Sequence, residues 1–406
     1  MLTPPEDDRK GFVVGKDIDH ENGRFRIVVS SKKLLSLLGR FSVVAADCTF
    51  KVTLQGHPLL VVCVIDAMRH AHPVAFAIIS NQEQTDYDFV FAAIFNRCAS
   101  LGLNCQVQVF MSDGEMALKN AARAIFGGEV VLLNCYFHVM QNVTKHLKKS
   151  VEIPKEAHDQ IRKDLALLQV APTKQHFAAA GKMFLQKYGC YPLFLNFFEK
   201  YLQNPKLLMW YEAAAPGIPA TNNALEALNK SLKDKLRRQK EPLGTFKSRL
   251  LEIVFEYGDP ERTIVCERIF DLETERKTYD WLKTSKKVRT VNCQETLKCF
   301  TYIPGKEVND ITSQDIVSFE QPKLDSFEKF AADFGKLHRV EVTSQDYKTW
   351  DCTCRYFFKN NVCLHILAVA VLKGKYVLSA EANTTKVSYK KAAGRPKLVS
   401  RALMKQ

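Results

Sequence analysis

The sequence predicts an α/β protein: a mixed β-sheet flanked by helices, with an all-helical stretch and a small C-terminal zinc-binding domain. Three observations carry this prediction. In the first third, a three-strand meander is followed by apolar runs that alternate with segments of helical spacing. Residues from about 150 to 215 are rich in Ala, Leu, Phe and Lys and lack strand signals. Near the C-terminus, three cysteines and a histidine stand in two close pairs.

The opening strands carry the strongest pattern. Val43–Ala46 and Leu59–Ile65 are apolar, rich in β-branched residues and flank a turn at Gln55–His57, which predicts a β-hairpin. His72–Ile79 can form a third strand, and Arg24–Val29 predicts a strand before the hairpin. The meander therefore supplies the antiparallel part of the sheet.

The rest of the sheet follows from strands that alternate with helices, a pattern that completes a mixed sheet. The expected order is helix Asp86–Leu101, strand Val107–Met111, helix Glu115–Phe126, strand Val130–Leu133 and helix Tyr136–Leu147.

A long amphipathic helix opens at Thr221–Asn223, after the all-helical stretch. Its apolar stripe consists of Leu225, Leu228, Leu232 and Leu236. A neighbouring face carries one carboxylate and a row of cations, Glu226, Lys230, Lys233 and Arg237. Helical pattern continues through Phe246–Leu282, and short β-like pieces begin at Val288.

The composition indicates a globular protein with a polyanionic partner. Hydrophobic residues make up 46% of the 406 residues, and the formal net charge is +14. Charge alone does not separate nucleic acid from an acidic membrane or protein. The longest apolar run is too short to span a bilayer, and the N-terminus lacks the apolar core of a signal peptide. We therefore expect a soluble intracellular protein whose 12 cysteines are buried thiols or metal ligands.

The clearest local motif is a Cys₃His set near the C-terminus, formed by Cys352, Cys354, Cys363 and His365. Two close pairs separated by eight residues let each half hold one side of a tetrahedral zinc ion. With all four ligands supplied by protein, such a site is structural. The alternative is a strand with buried thiols followed by an ordinary helix. The pattern resembles the SWIM zinc finger, in which a β-hairpin precedes a short helix.

A second candidate site consists of three carboxylates, Asp47, Asp113 and Glu226. Each has a local alternative. Asp47 could accept backbone N–H groups at a strand end, Ser112 and Glu115 could form a capping box, and Asn223 could cap a helix with Glu226. Taken together, three carboxylates in a basic protein are what two divalent cations need to align an in-line attack at a phosphodiester.

Several strings in family order resemble the transposase domain of Mutator-like elements, over roughly Phe41 to Arg238. They are DCTFK at Asp47, NQEQTDYDFVF, FMSDGEMALKNA at Asp113, CYFHVMQNV at Cys135 and TNNALEALNKSLK at Glu226. The resemblance implies an RNase H-like fold with a DDE catalytic triad and an all-α insertion before the glutamate. It assigns the triad to Asp47, Asp113 and Glu226, which would hold two Mg²⁺ or Mn²⁺ ions. Glu115 is rejected as the glutamate, because it lies two residues from Asp113.

Cys135 and His138 match the C-x-x-H that follows the second aspartate in this family. They cannot complete a zinc site alone, and packing, metal binding and DNA contact all stay open. His57, His70 and His72 lie around the hairpin and the next strand, and we expect them to be structural.

Two basic segments are candidate DNA contacts. Lys230, Lys233, Arg237 and Arg238 would contact phosphates near the active site, with an exposed charged helix face as the alternative. Arg395 and Lys397 lie in a Gly-Arg-Pro-Lys string that resembles part of an AT-hook, although Ala393 stands where that motif has an Arg. A solvated basic tail is the alternative there.

The expected organisation has six parts. They are an N-terminal segment (1–40), an RNase H-like DDE transposase domain (41–240, with the insertion at about 150–215), a helical extension (241–287), an α/β linker region (288–340), a SWIM-type finger (341–375) and a basic tail (376–406).

The resemblance implies a Mg²⁺-dependent DNA transposase that cleaves transposon ends and transfers strands into target DNA. Its expected partners are double-stranded DNA and further copies of the chain, with no membrane, and its expected location is the nucleus. Two alternatives remain. One is a domesticated transposase that acts as a DNA-binding transcriptional regulator without catalysis, and the other is a nuclease that processes nucleic acid without strand joining.

Overall fold

The computed structural model describes residues 3–284, 286–293, 298–305 and 307–383. Its first part is built on a seven-stranded mixed sheet. The strands are β1 (Phe12–Asp19), β2 (Arg24–Ser30), β3 (Val43–Thr49), β4 (Leu59–Ile65), β5 (Ala71–Ile79), β6 (Val109–Ser112) and β7 (Val131–Asn134).

The strand order is β1-β2-β5-β4-β3-β6-β7. Neighbouring strands from β1 to β3 are antiparallel, whereas β3, β6 and β7 run parallel. The predicted hairpin, third strand and alternating strands are therefore confirmed, as is the strand near Arg24–Val29. Strand β1 was not predicted, because polar residues interrupt its apolar pattern. With β1 included, the sheet begins at Phe12, well before Phe41, where we expected its domain to start.

Helices cover both faces of this sheet. The first four are α1 (Lys32–Leu35), α2 (Gln84–Ser100), α3 (Met116–Phe126) and α4 (Tyr136–Lys149). Because side chains alternate along a strand, β4 sends Leu60 and Val62 toward α2 and α3, and Val61 and Cys63 toward α4 and later helices. The predicted helices at α2, α3 and α4 are confirmed.

Six more helices follow before the next strand. They are α5 (Lys155–Gln169), α6 (Lys174–Lys187), α7 (Pro192–Gln203), α8 (Asn223–Lys235), α9 (Leu243–Tyr257) and α10 (Leu272–Leu282). The apolar stripe of α8 is buried, and it joins the core on the α4 side of the sheet. The continuous helical pattern expected over Phe246–Leu282 is wrong in one respect, because residues 258–271 between α9 and α10 are not helical.

A second, smaller sheet contains β8 (Arg289–Cys293), β9 (Lys298–Pro304), β10 (Leu337–Val342) and β11 (Asp351–Cys352), in the order β11-β10-β9-β8. Its helices are α11 (Ser313–Glu320), α12 (Phe327–Asp333), α13 (Arg355–Asn360) and α14 (Leu364–Leu372). This part contacts the turn between β4 and β5, where Asn361 Nδ2 donates to the Ala67 carbonyl at 2.7 Å and Arg69 donates to the Phe358 carbonyl. No helix among the described residues combines the length and apolarity that a membrane crossing needs.

Candidate functional site

Two aspartates meet at one edge of the large sheet. Strands β3 and β6 are parallel neighbours, and Ala45 lies opposite Met111 in their register. Asp47 and Asp113 each follow two residues later, so both side chains lie at the same level of adjacent strands. The sheet topology therefore brings together two of the predicted residues that are 66 positions apart in the chain.

The pKa of Asp47 reflects burial first and the charge of neighbouring carboxylates second. Burial, followed by the charge of Asp113 and then of Glu226, raises the pKa of Asp47 to about 6 from its ordinary 3.8. His138 and the Cys48 backbone N–H oppose this change. Asp47, Asp113 and Glu226 thus lie close enough for their charges to interact, as a shared site requires.

Glu226 reaches the aspartates from the first turn of α8. The leucine stripe of α8 packs on the sheet core, which places the adjacent face of the helix near β3. A cap made by Asn223 with Glu226 is not present, since Asn222 is the N-cap residue and no side chain caps this helix. Burial raises the pKa of Glu226, while nearby His138 lowers it.

Glu115, the rejected competitor, uses its side chain in a bond toward the other face of the sheet, although burial and the charges of Asp113 and Asp47 raise its pKa. Its Oε2 accepts a hydrogen bond from the Tyr87 hydroxyl at 2.9 Å, and Tyr87 belongs to α2 on the other face of the sheet. A Ser112–Glu115 capping box is also absent, because Glu115 is itself the N-cap residue of α3 and its side chain makes no cap bond. The Glu115 backbone N–H instead donates to Asp113 Oδ1 at 3.0 Å.

Cys135 and His138 begin α4 beside the carboxylates. His138 Nε2 lies 4.0 Å from Glu226 Oε1. One ligand atom each of Cys135, His138 and Glu226 lies within 4.8 Å of the others, so the structure supplies the neighbour that spacing could not identify. The neighbouring Cys135 side chain is the main cause that raises the pKa of His138 to about 9, and the charges of Asp47 and Asp113 raise it further.

One residue of this site was not predicted. Asn229 Nδ2 donates to Asp47 Oδ2 at 3.2 Å, and the side chain is largely buried. Asn229 lies one helical turn after Glu226 on α8 and so shares its face of the helix. This spacing is the sequence feature that could have indicated Asn229 as a residue of the site.

The predicted basic row is mostly exposed, as the phosphate-contact prediction requires, but it does not lie on one helix. Helix α8 ends at Lys235, so the expectation that Arg237 continues its basic face is wrong, and Arg237 and Arg238 lie in the turn that follows. Lys230, Arg237 and Arg238 are exposed, and Lys233 is half-buried. Arg238 forms an ion pair with Asp234 at 2.8 Å. Arg237 and Arg238 both have positive φ, 51° and 54°, an uncommon conformation for residues with a side chain. Arg395 and Lys397 lie outside the described residues.

The predicted histidines of the β4–β5 region have structural partners. His72 Nε2 and His70 Nδ1 lie 3.0 and 3.3 Å from Asp66 Oδ2, and the His57 ring packs on Phe25. These contacts agree with a structural role for all three.

The Cys₃His set converges in the small C-terminal part. Ligand atoms of Cys352, Cys354, Cys363 and His365 all lie within 4.8 Å of one another, and the three thiols are buried. Cys352 Sγ is 3.8 Å from His365 Nδ1. The hairpin of β10 and β11 precedes the helices α13 and α14, so a strand with unrelated buried thiols does not describe this site. Three thiols and an imidazole fit a structural zinc ion.

Comparison with protein families gives two matches. The model of the MULE transposase domain matches residues 43–142, which include Asp47, Asp113, Cys135 and His138. The model of the SWIM zinc finger matches residues 341–374, which include the whole Cys₃His set. No curated protein matches the chain. The chain therefore contains a MULE transposase domain and, C-terminal to it, a SWIM zinc finger.

Proposed function

We propose that this chain is a DNA transposase of the Mutator-like type, which hydrolyses a phosphodiester at each transposon end and joins the freed 3′-hydroxyl to target DNA. The observation that supports the proposal is that Asp47 and Asp113 follow paired positions of two parallel neighbouring strands, and that the charge of Glu226, from a distant helix, acts on Asp47. Carboxylates that repel one another in this way are typical of a site that binds cations.

The strand order supports an RNase H-like core. From β3 onward, the strands occur in the spatial order third, second, first, fourth and fifth, with only the second antiparallel to the first and its neighbours. In this proposal, α5, α6 and α7 form the all-α insertion that precedes the glutamate on α8. The hairpin of β1 and β2 adds two strands to the β5 edge.

The carboxylates fit two Mg²⁺ or Mn²⁺ ions, since hard oxygen ligands suit these cations and the cluster carries excess negative charge. Glu226 Oε1 is shielded from solvent and accepts no hydrogen bond from a described residue, which leaves it free to be a ligand. When bound, such ions supply Lewis acidity and a metal-activated water.

The chain's own residues hold and orient this cluster. Asn229 fixes one oxygen of Asp47, and the Glu115 backbone N–H fixes one oxygen of Asp113. We assign Cys135 and His138 to positioning Glu226, with the charged imidazole balancing part of the negative charge. Cys135 Sγ also accepts the Asn222 N–H at 3.2 Å, which ties the start of α4 to the start of α8.

The proposed partners follow from the same site. Lys230, Lys233, Arg237 and Arg238 would contact phosphates of double-stranded DNA next to the cleaved bond. Bringing two transposon ends together requires more than one copy of the chain, so we propose a homo-oligomer on DNA. Action on chromosomal DNA places the proposed function in the nucleus.

Cleavage of labelled DNA tests the proposal directly. End-labelled duplexes that carry the terminal inverted repeats flanking the gene are incubated with the full chain and Mg²⁺ or Mn²⁺. Asp47→Ala, Asp113→Ala and Glu226→Ala should each abolish both cleavage and joining. Glu115→Gln is the matched control, because a glutamine still accepts the Tyr87 hydroxyl, and this variant should cut as the parent does. Undiminished cutting by Asp47→Ala overturns the assignment.

A domesticated DNA-binding regulator is the second candidate. The observation that favours it is the extent of the family match, which ends at residue 142 and does not reach Glu226. In that case the parent would bind DNA without cutting it, the Asp47→Ala variant would bind equally well, and terminal repeats would be absent around the gene. Cleavage without joining would instead indicate a processing nuclease.

A further inference from the structure

A groove of about 560 Å³ between α4 and α7 combines an aromatic floor with basic rims. We call it the α4–α7 groove, and its defining residues are Asn142, Lys145, Lys149, Phe197, Lys200 and Tyr201. It lies outside the carboxylate cluster and includes none of the residues assigned to DNA contact above.

The floor of the groove is held rigidly. Asn142 Nδ2 donates to the Tyr201 hydroxyl at 3.2 Å, and His146 stacks on Phe197 with ring centroids 4.2 Å apart. Lys200 Nζ sits 4.6 Å from the centre of the Phe197 ring, a cation–π contact that keeps the ammonium over the groove. The groove is therefore a preformed surface with its charge in place.

The rim lysines make no direct ion pair among the described residues, although the charge of Glu152 acts on His146 in the groove. None of the three lysines, Lys145, Lys149 and Lys200, forms an ion pair within the described ranges. Glu152, the carboxylate of the segment between α4 and α5, is occupied by the N-terminus of α7, where it accepts the backbone N–H groups of Leu193 and Phe194 at 3.0 and 3.2 Å.

One face of α4 connects the groove to the carboxylate cluster. His138, Asn142, Lys145 and Lys149 are spaced four, three and four residues apart, which places them in a single stripe along the helix. His138 faces Glu226 at one end of this stripe, and the lysines line the groove at the other. The opposite stripe of α4, with Val139 and Val143, is buried against the sheet.

We propose that the α4–α7 groove binds the sugar–phosphate backbone of the DNA strand that runs away from the proposed cleavage site. This inference rests on the proposed function: DNA held at the carboxylates would extend along α4 and so reach the groove. The lysines contact phosphates, and the exposed apolar side chains Val151 and Leu193 at the groove mouth contact deoxyribose.

The length of the stripe predicts which phosphates are contacted. Lys145 and Lys149 lie seven and eleven residues beyond His138, which is about 10 and 16 Å at 1.5 Å per residue. For DNA whose axis runs along α4, each strand has one phosphate per 3.4 Å of axis, so the contacted phosphates lie about three to five nucleotides from the cleaved bond.

Salt-dependent DNA binding tests the proposal. Full-length Lys145→Gln/Lys149→Gln/Lys200→Gln protein is compared with the parent on a labelled duplex, by fluorescence anisotropy in buffer without Mg²⁺ or Mn²⁺, so that no cleavage occurs and the zinc of the finger is kept. Each lost phosphate contact should reduce the slope of log K against log salt by about 0.9, so the triple variant should lose about 2 to 3. The matched control is Lys163→Gln/Lys174→Gln/Lys182→Gln, which removes the same charge from exposed lysines of α5 and α6 and should leave the slope within about 0.5 of the parent.

A second measurement locates the contact. Neutral methylphosphonates placed three to five nucleotides from the cleaved bond should weaken binding of the parent and have no further effect on the triple variant. Equal slopes for the parent and the triple variant, with both folded by circular dichroism, overturn the inference. So does loss of binding to phosphatidylserine vesicles while DNA binding is retained, because the groove would then recognise a membrane surface.

The failure of this inference is distinguishable from failure of the proposed function. If Asp47→Ala abolishes cleavage but the triple variant binds like the parent, the groove assignment alone is wrong. If the slope of log K against log salt is reduced in the triple variant but Asp47→Ala still cuts, the catalytic assignment alone is wrong.

Discussion

Replacing Asp47 by asparagine should stabilise the metal-free protein, although it should abolish cleavage. The folded-state pKa of about 6 lies above the ordinary 3.8, so the folded protein binds this proton more tightly than the unfolded chain. The carboxylate therefore costs nothing below pH 3.8, and it destabilises the fold progressively as pH rises through 6. At 1.36 kcal/mol per tenfold change in acidity, the full cost is about 3 kcal/mol at pH 7 and roughly half of that at pH 5.

Loss of the attraction between Asp47 and His138 offsets part of this gain, so we expect a net stabilisation of about 1 to 3 kcal/mol at pH 7. For a domain of this size, that raises Tm by about 2 to 12 °C. Differential scanning fluorimetry of the parent and Asp47→Asn in buffer without Mg²⁺ or Mn²⁺, at pH 5, 6, 7 and 8, measures the difference.

The difference should grow with pH, and added Mg²⁺ or Mn²⁺ should raise the Tm of the parent but not of the variant. Asp113→Asn is a matched comparison at the neighbouring carboxylate, and it should also lose the metal-dependent rise. If Asp47→Asn lowers Tm throughout this pH range, or if cations stabilise both proteins equally, the carboxylates do not crowd one another and the shared site is refuted.

Three further predictions concern the residues around this site and the finger. Cys135→Ser should lower the pKa of His138 from about 9 toward 6.5, as read from an NMR titration of the imidazole protons, because it removes the thiol whose interaction is the main cause of the raised pKa. The raised pKa stabilises the folded protein below pH 6.5, and this stabilisation is lost as the pH rises through 9. Between pH 6.5 and 9 the parent should therefore lose more stability than the variant. An unchanged titration of His138 contradicts the role assigned to Cys135. Elemental analysis should find one zinc per chain in the parent and in Cys135→Ser, and none in Cys363→Ser. Loss of zinc should increase hydrogen exchange in the β4–β5 turn, because this turn accepts a hydrogen bond from Asn361. Two zinc ions in the parent would mean that Cys135 is a ligand after all. Asn229→Ala removes the donor to Asp47 and should slow single-turnover cleavage by about 10- to 100-fold. DNA binding measured without Mg²⁺ or Mn²⁺ should not weaken. An equal loss of binding would indicate that the asparagine is merely structural.

Much of the large sheet could be predicted because its information is local. The β-branched runs of β3, β4 and β5 leave little choice of secondary structure, and the turn between β3 and β4 forces them to pair. Strand β1 escaped prediction because half of its residues are polar and its pairing with β2 depends on the neighbouring β5. The break between α9 and α10 escaped for a similar reason, since its residues keep apolar spacing without forming a helix.

The candidate site shows the same division. Resemblance named Asp47, Asp113 and Glu226, but it could not say what holds them, and Asn229 entered only through its bond to Asp47. Likewise, Cys135 and His138 had no recognisable third neighbour in the sequence. Glu226 takes that place because α8 packs on the same face of the sheet as α4, although α4 begins about 90 positions earlier in the chain.

The sequence by itself determined the parts of this protein whose residues interact over short separations. These are the strands with continuous apolar, β-branched runs, the amphipathic α8, and the Cys₃His ligands, which need only a hairpin and a helix turn to meet. Tertiary structure alone decided which face each helix presents to the sheet edge, and hence that Glu226, His138 and Asn229 gather around Asp47. It also decided that α7 packs beside α4 to form the basic groove. The physical reason is that helix packing depends on the summed burial of many distant side chains, a quantity that no local pattern contains.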